Sequence, residues 1–153
     1  MRYEKGLRSV LHVWFRLSRP MTLGARVLAL DTSGRVLLVK HTYTRGWLLP
    51  GGGVEAGETM AQAAEREVRE EGNVEFVDEA AFFGLYFNHK ASRRDHVGLF
   101  VARDVRVLGP RPPDREIAAA QFFPLDALPD DTSEATRARL AEVLHGAPRS
   151  PYW

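Results

Sequence analysis

The sequence predicts an α+β fold in which helices pack against a mixed β-sheet. Strand-like runs lie on both sides of a central helical segment, and a second helical segment follows the last of them. The chain has 153 residues without an internal repeat or a low-complexity linker, a length that fits one domain with a sizeable core. We therefore expect a main domain over residues 21–146, an N-terminal extension at residues 1–20 and a C-terminal tail at residues 147–153.

Runs rich in Val, Leu and aromatic residues, bounded by turn residues, predict the strands. These strands cover residues 22–31, 35–41, 75–90, 95–105 and 116–123. The predicted helices cover residues 59–72 and 133–145. Thr59 and Ser133 are good capping residues at the two helix starts, and Gly146 ends the second helix. Gln62 lies three residues after Thr59, as in a capping box, and Asn73 accepts the left-handed conformation that ends many helices.

Composition excludes several kinds of function. The chain has no cysteine, which excludes a disulfide scaffold, a thiolate zinc site and a thiol nucleophile. Lys and Arg number 21 against 20 Asp and Glu, a formal net charge of +1, which argues against nucleic-acid binding by bulk electrostatics. The most apolar early stretch, residues 10–17, contains His12 and Arg16 and is shorter than the ~20 residues of a membrane span. We expect a cytoplasmic protein without a membrane span.

The first 20 residues are basic and amphipathic. Five cations and one Glu give a net charge of +4, and apolar residues recur at helical spacing: Leu7, Val10, Leu11, Trp14 and Leu17. The pattern predicts a short helix that docks on the domain or on a second copy of the chain, so a homodimer is left open. Contact with a membrane surface is the alternative interpretation.

Three carboxylates of the first predicted helix lie on one face. When side chains are placed at about 100° per residue, Glu67 and Glu71 fall within the apolar stripe and Glu70 lies at its border. Two anions ~5 Å apart repel by roughly 3 kcal/mol at an effective dielectric constant near 20. A bound divalent cation removes this penalty, and oxygen ligands suit Mg²⁺ or Mn²⁺. The alternative is a solvated acidic face paired with Arg66 and Arg69.

A glycine-rich segment precedes this helix. Gly51, Gly52 and Gly53 allow backbone conformations closed to other residues and leave room for a ligand, and a carbonyl there can complete a metal site. The segment lacks the Gly-Lys-Ser/Thr of a P-loop and the Gly-x-Gly-x-x-Gly of a dinucleotide fold. Both of those nucleotide-binding folds are therefore disfavoured.

Taken together, Gly52, Glu58 and the run Arg-Glu-Val-Arg-Glu-Glu at residues 66–71 resemble the Nudix box of the Nudix hydrolase family. The intervals of five and seven residues between these positions match the family pattern. The chain departs from the pattern at Asn73, where the family has glycine, although asparagine accepts the same cap geometry. The resemblance implies a MutT-like Nudix fold, an α/β/α sandwich with the mixed sheet between helices.

The resemblance also implies an activity and a role for each box residue. Nudix enzymes hydrolyse a phosphoanhydride in a nucleoside diphosphate linked to another group, and their box carboxylates bind Mg²⁺ or Mn²⁺. Metal ligands are then expected at Glu67, Glu70, Glu71 and the carbonyl of Gly51 or Gly52. Either Glu67 or Glu71 serves as general base, a choice the sequence leaves open, and Arg66 orients a box carboxylate. Roles in shaping the loop and the helix end are expected for Gly52, Gly53, Gly57, Glu58 and Asn73.

Residues outside the box complete the predicted site. Glu116 is a candidate for a further metal ligand, with an exposed surface acid as the alternative. Arg26, Lys40 and Arg45 are candidates for substrate phosphate contacts, although each has an ordinary surface charge as its alternative. Tyr86 is a candidate for stacking on the base, with core packing as the alternative.

The substrate is the least determined part of the prediction. No proline occurs between Val74 and Gly109, where ADP-ribose-cleaving members of the family tend to have one. A nucleoside triphosphate or another small nucleotide remains as the expected substrate. One alternative is hydrolysis at the 5′ end of RNA, which the basic loop at residues 90–94 permits. The other is a catalytically silent nucleotide-binding Nudix module.

Overall fold

A computed structural model describes residues 13–15, 17–18 and 20–153. Its strands and helices are, in chain order, β1 (Thr22–Ala29), β2 (Val36–His41), β3 (Gly51–Gly53), α1 (Met60–Gly72), β4 (Val74–Phe76), β5 (Ala81–Phe87), β6 (Asp95–Ala102), β7 (Val105–Val107), β8 (Ile117–Phe123) and α2 (Glu134–His145).

The predicted N-terminal helix falls mostly outside the described residues. Residues 13–15 and 17–18 are helical, and the side chains of Trp14 and Leu17 are exposed. In the part of the chain that the structure describes, no helix has the length and apolarity needed to cross a bilayer.

The largest sheet is mixed, as predicted. Its strand order is β3-β1-β6-β5, with β1 parallel to β6 and the other neighbours antiparallel. Two antiparallel pairs, β2 with β8 and β4 with β7, complete the strand pairing. The parallel register places Thr22 opposite Asp95, so the start of β1 lies beside the start of β6.

Strand β1 contributes to a different core on each of its faces because side chains alternate along a strand. Ala25 and Val27 pack in one cluster with residues of α1 that include Val68. Leu28 packs in the other cluster with Leu140 of α2. Each buried Val or Leu contributes roughly 1.5–3 kcal/mol. The sheet is therefore covered by a helix on each face, which confirms the α/β/α arrangement.

Local signals set the helix ends. The Thr59 hydroxyl accepts a hydrogen bond from the Gln62 N–H, and the Gln62 side chain accepts one from the Thr59 N–H, so the predicted capping box is present. Asn73 adopts φ 51° and ψ 44°, the left-handed cap conformation. Ser133 and Gly146 bound α2 as predicted.

The structure corrects three strand predictions. The predicted strand at residues 75–90 is interrupted at residues 77–80, and the one at residues 95–105 is interrupted at residues 103–104. Both interruptions contain charged residues, and the short pieces beside them, β4 and β7, pair with each other. Strand β3 was expected as a loop. Its three glycines pair with β1, so tertiary pairing overrides their low strand propensity.

Candidate active site

Glu71 lies at the junction of α1, β2 and β3. Its side chain is buried, and its Oε2 atom accepts a hydrogen bond from the Gly51 backbone N–H at 2.7 Å. Its Oε1 atom is 3.2 Å from Nε2 of His41, which is also buried. Neither ring nitrogen of His41 makes a hydrogen bond of normal geometry. A carboxyl and an imidazole are thus buried together with incomplete hydrogen bonding, an arrangement common at functional sites.

The environment changes the ionisation of both groups. Burial raises the pKa of Glu71 to about 7, although the Gly51 N–H and the Arg26 guanidinium oppose the rise. Burial lowers the pKa of His41, and the nearby Arg26 charge lowers it further. Both shifts favour the uncharged form of the side chain, because burial penalises a charge. Glu71 changes its charge close to neutral pH.

Glu67 packs directly against the glycine-rich strand. A Cβ atom at Gly52 would lie 2.8 Å from the Glu67 carboxyl carbon and would overlap one of its oxygens. The Glu67 carboxylate, in its present position, occupies space that only glycine leaves at residue 52. Gly51 has φ 142°, and a Cβ at that position would overlap the Ala25 carbonyl. Gly52 therefore lets the Glu67 carboxylate reach the backbone of β3, and Gly51 lets β3 approach β1 closely.

The other two glycines of the prediction differ from each other. A Cβ atom at Gly53 or Gly57 would have no other heavy atom of a neighbouring segment within 4 Å. Gly57 has φ 94°, a conformation that favours glycine, whereas Gly53 has no such requirement. Gly57 thus serves the turn before α1, and Gly53 marks a position where a side chain fits.

Arg66 joins the loop after β3 to the box carboxylates. Its guanidinium donates to Glu58 at 2.8 Å, to Glu67 at 2.7 Å, to Glu70 at 3.3 Å and to the Gly53 carbonyl at 3.0 Å. Its hydrogen bonds to Glu58 and then to Glu67 raise the pKa of Arg66. The hydrogen bond from Arg66 and the one from the Glu55 N–H lower the pKa of Glu58. Glu58 and Arg66 therefore form an ion pair that fixes the loop.

The carboxylates of α1 divide between different partners. Glu67 and Glu70 are held by Arg66, whereas Glu71 is bonded to the Gly51 N–H and lies beside His41. Glu70 lies at the rim with 61% of its side chain exposed, as its border position predicted. Across the described ranges of the chain, no three acidic or histidine side chains gather closely enough to hold a metal ion. Binding a dication here requires these carboxylates to exchange their present partners.

Glu116 lies beside this cluster. A bulge shifts the register between β2 and β8, so Lys40 faces Ala119 while His41 faces Ile117. After the bulge, the Tyr43 hydroxyl lies 3.4 Å from a Glu116 carboxylate oxygen. The charge of Glu116 opposes the lowering of the His41 pKa and contributes to the raised pKa of Glu71. The structure thus places Glu116 within electrostatic reach of the box.

The three predicted phosphate contacts occupy different environments. Arg26 donates to the Leu49 carbonyl at 2.9 Å, and burial lowers its pKa against the opposing charges of Glu71 and Glu67. Lys40 forms an ion pair with Asp131 at 2.9 Å, so its charge is already neutralised by a partner. Arg45 is exposed and has no ion pair to any described residue. Arg45 is therefore the exposed and unpaired one of the three, whereas Arg26 compensates the buried carboxylates.

Tyr86 is a core residue and not a surface aromatic. It is fully buried, and its hydroxyl donates to Glu142 at 2.7 Å. The Arg139 guanidinium lies 4.1 Å from its ring centroid, and Trp153 packs against its edge. The predicted stacking of Tyr86 on a base is thus corrected, because no face of its ring is open to a ligand. Core packing, the alternative interpretation, is the one observed.

Sequence reasoning missed two residues of the site. His41 reads as the polar end of an apolar strand, and Tyr43 as part of an exposed turn. Tyr43 approaches Glu116 through the pairing of β2 with β8, and His41 approaches Glu71 through the packing of β2 beside α1. The available signal was a histidine and a tyrosine just before the glycine-rich segment, which is too common a pattern to indicate a site.

The α/β/α fold and the box carboxylates around a glycine strand together define a Nudix-type protein. A family model described as NUDIX domain matches residues 20–144, and the chain therefore belongs to the Nudix hydrolase family. This confirms the family that the sequence predicted.

Individual relatives agree with this assignment. The chain is 48% identical over 50 residues to a Bacillus subtilis (strain 168) protein provisionally named 8-oxo-dGTP diphosphatase, covering 33% of this chain and 34% of that protein. It is 47% identical over 47 residues to the nucleoside triphosphatase NudI of Enterobacter sp. (strain 638), covering 28% and 33%. The chain thus matches about a third of the length of each of these curated relatives.

A solved structure extends the similarity to most of the fold. The MutT NUDIX hydrolase from Burkholderia pseudomallei aligns with a TM-score of 0.62 and 27% identity, covering 80% of this chain and 97% of that one. The similarity therefore reaches well beyond the box segment that the curated relatives share.

Proposed function

We propose that the protein hydrolyses a phosphoanhydride bond in a nucleoside triphosphate or another small nucleotide, using Mg²⁺ or Mn²⁺. One observation carries the proposal. Two carboxylates of α1 reach the glycine strand, with Glu71 bonded to the Gly51 N–H and Glu67 packed against Gly52. They lie beside backbone carbonyls that are further oxygen donors.

The donor set fits a hard dication. Glu67, Glu70, Glu71 and Glu116, with the carbonyl of Gly51 or Gly52, would supply oxygen ligands only, which suits Mg²⁺ or Mn²⁺. The space kept open at Gly52 admits the Glu67 carboxylate to the same backbone. When bound, the metal neutralises phosphate oxygens and lowers the pKa of a water molecule.

The remaining roles fall to residues of the chain itself. Arg66 orients Glu67 and Glu70 through its paired hydrogen bonds, and Glu58 fixes Arg66. Arg26 balances the negative charge of Glu67 and Glu71 from the sheet side. Of the three predicted phosphate contacts, Arg45 is the exposed one without an ion pair to a described residue, and we assign the substrate phosphate contact to it. The general base is Glu67 or Glu71. Replacing the base by Gln removes the acidic limb of the pH–rate profile, so comparing Glu67→Gln with Glu71→Gln identifies the base.

Two observations support a nucleoside triphosphate as substrate. The names of both curated relatives refer to cleavage of such compounds. The segment between Val74 and Gly109 also lacks the proline expected of ADP-ribose-cleaving members. A panel of substrates tests the assignment, with Mg²⁺ or Mn²⁺ added and with phosphate and pyrophosphate detected as products. The panel includes ADP-ribose and 5′-triphosphorylated RNA.

Carboxylate variants test the chemistry. We expect Glu70→Gln and Glu71→Gln each to lower kcat by about 100-fold, the effect of losing preorganised charge at a reacting centre. Glu65→Gln, an exposed residue on the other side of the same helix, is the matched control and keeps full activity. Unchanged turnover in both site variants contradicts the proposal. Tight nucleotide binding without product indicates a silent module, and a steep salt dependence on RNA indicates the RNA-directed activity.

A further inference from the structure

The loop between β7 and β8 is attached to the C-terminal end of α1. The Asn73 side-chain amide donates to the carbonyls of Gly109 and Pro110 at 3.2 and 3.3 Å, and the Leu108 N–H donates to the Asn73 carbonyl at 2.9 Å. Arg111, the residue after Pro110, donates through Nε to the Glu70 carbonyl at 2.8 Å. The loop is therefore fixed to the helix turn that carries two of the box carboxylates.

Arg111 also reaches forward along the loop. Its Nη2 atom donates to Oδ2 of Asp114 at 2.6 Å, and only 15% of its side chain is exposed. The other oxygen of Asp114, Oδ1, accepts the backbone N–H groups of Glu116 and Ile117 at 2.8 and 2.7 Å. These contacts lower the pKa of Asp114 to about 2, so it stays ionised at neutral pH.

Glu116 is thus held from two sides. Asp114 fixes its N–H group, and the Thr42 N–H donates to its carbonyl at 2.9 Å. A continuous path of hydrogen bonds runs from the Glu70 carbonyl through Arg111 and Asp114 to the backbone of Glu116. It connects the helix bearing the box carboxylates to the strand bearing the carboxylate outside the box.

We propose that Arg111 and Asp114 are positioning residues that hold Glu116 in register with the carboxylates of α1 for binding a divalent cation. The proposal rests on the proposed function. Arg111 suits this role because its planar fork donates in two directions at once, which a lysine does not reproduce. Residues behind a metal ligand typically change metal affinity about 10- to 100-fold when they are lost.

Manganese binding to the full chain without substrate tests the proposal. We expect Arg111→Met and Asp114→Asn each to raise the Kd for Mn²⁺ about 10-fold by calorimetry. Asp114→Asn keeps one acceptor for the two N–H groups and removes the acceptor for Arg111. Arg111→Lys keeps the positive charge without the planar guanidinium, and it replaces Arg111→Met in this test if that variant does not fold. Arg103→Met, an exposed arginine outside the site, is the control with unchanged Kd.

The background of Glu116→Gln separates positioning from general stability. There, Arg111→Met is expected to leave the Kd for Mn²⁺ unchanged, because Arg111 acts through Glu116 and the two losses do not add. Three results overturn the proposal. In the first, Arg111→Met raises the Kd for Mn²⁺ equally in the wild-type and Glu116→Gln backgrounds. In the others, Arg111→Met and Asp114→Asn leave the Kd unchanged, or Glu116→Gln binds Mn²⁺ as the wild type does. A wild-type chain that binds no Mn²⁺ instead overturns the proposed function, and this proposal with it.

Discussion

Glu71 accepts a hydrogen bond from the Gly51 backbone N–H at 2.7 Å, which joins the last turn of α1 to strand β3. The bond lies where helix, sheet and glycine-rich segment meet, and both partners are buried. It satisfies a backbone donor that the strand pairing leaves over, at the cost of burying a carboxyl group. Several properties of the protein depend on this one contact and on its neighbours.

The pH dependence of stability without metal follows from the raised pKa of Glu71. A carboxyl group whose pKa rises from 4.5 to about 7 on folding contributes stability below pH 4.5 and loses that contribution as the pH rises through 7. Relative to Glu71→Gln, we expect the wild type to lose about 3 kcal/mol of unfolding free energy between pH 4.5 and 8, at about 1.4 kcal/mol for each pKa unit. Urea unfolding in the presence of a chelator at several pH values measures this difference.

Glu65→Gln is the control for this experiment, because Glu65 lies on the same helix with its side chain 55% exposed. Its difference from the wild type should stay flat across the pH range. A flat difference for Glu71→Gln as well would show that Glu71 ionises with an ordinary pKa.

The two glycines at residues 52 and 53 provide a matched pair. Gly52→Ala would drive a methyl group into the Glu67 carboxylate, whereas Gly53→Ala places one in open space. We expect Gly52→Ala to lower kcat by about 100-fold, the scale seen when a charged catalytic group is misplaced. Gly53→Ala should keep nearly full activity. Steady-state kinetics on the best substrate compares them, and equal activities would show that Glu67 is free to move.

Asn73 explains how the chain tolerates its departure from the family pattern. An alanine in the left-handed conformation costs about 1–2 kcal/mol, and Asn73→Ala also loses the hydrogen bonds to Gly109 and Pro110. Asn73→Gly loses the same bonds without the backbone strain. We therefore expect Asn73→Ala to be the less stable variant by about 1 kcal/mol or more in urea unfolding. Equal stabilities would mean that the backbone conformation contributes little.

Tyr86→Phe distinguishes a core residue from a substrate contact. The change removes the hydroxyl that donates to the buried Glu142 carboxylate at 2.7 Å. We expect a loss of about 1–3 kcal/mol of unfolding free energy, the cost of leaving a buried polar group without its partner. The KM for the substrate should not change. A raised KM at unchanged stability would restore the role in base binding.

The local features were predictable because their causes lie within a few residues. The capping box of Thr59 and Gln62 and the left-handed cap at Asn73 need only short-range hydrogen bonds and backbone preferences, and they were found as predicted. The inward placement of Glu67 and Glu71 follows from the helical period alone. Glu71 is buried and Glu67 is nearly so, as that period requires.

Contacts between distant segments were not predictable in this way. The strand predicted at residues 75–90 breaks because β4 pairs with β7. Tyr86 lies in the core because it contacts α2 there: its hydroxyl donates to Glu142 and its ring packs against Arg139. His41 and Glu71 meet only because strand β2 packs beside α1.

By itself, the sequence determined the family, the helix that carries the box and the face on which its carboxylates lie. Periodicity, capping and residue spacing are properties of a short segment and do not depend on what packs against it. Only the tertiary structure decided the surroundings of Glu71, which are the Gly51 N–H that donates to it and the buried His41 ring beside it. Burial and charge at a site are sums over every element that surrounds it, so the ionisation of Glu71 is a property of the assembled fold.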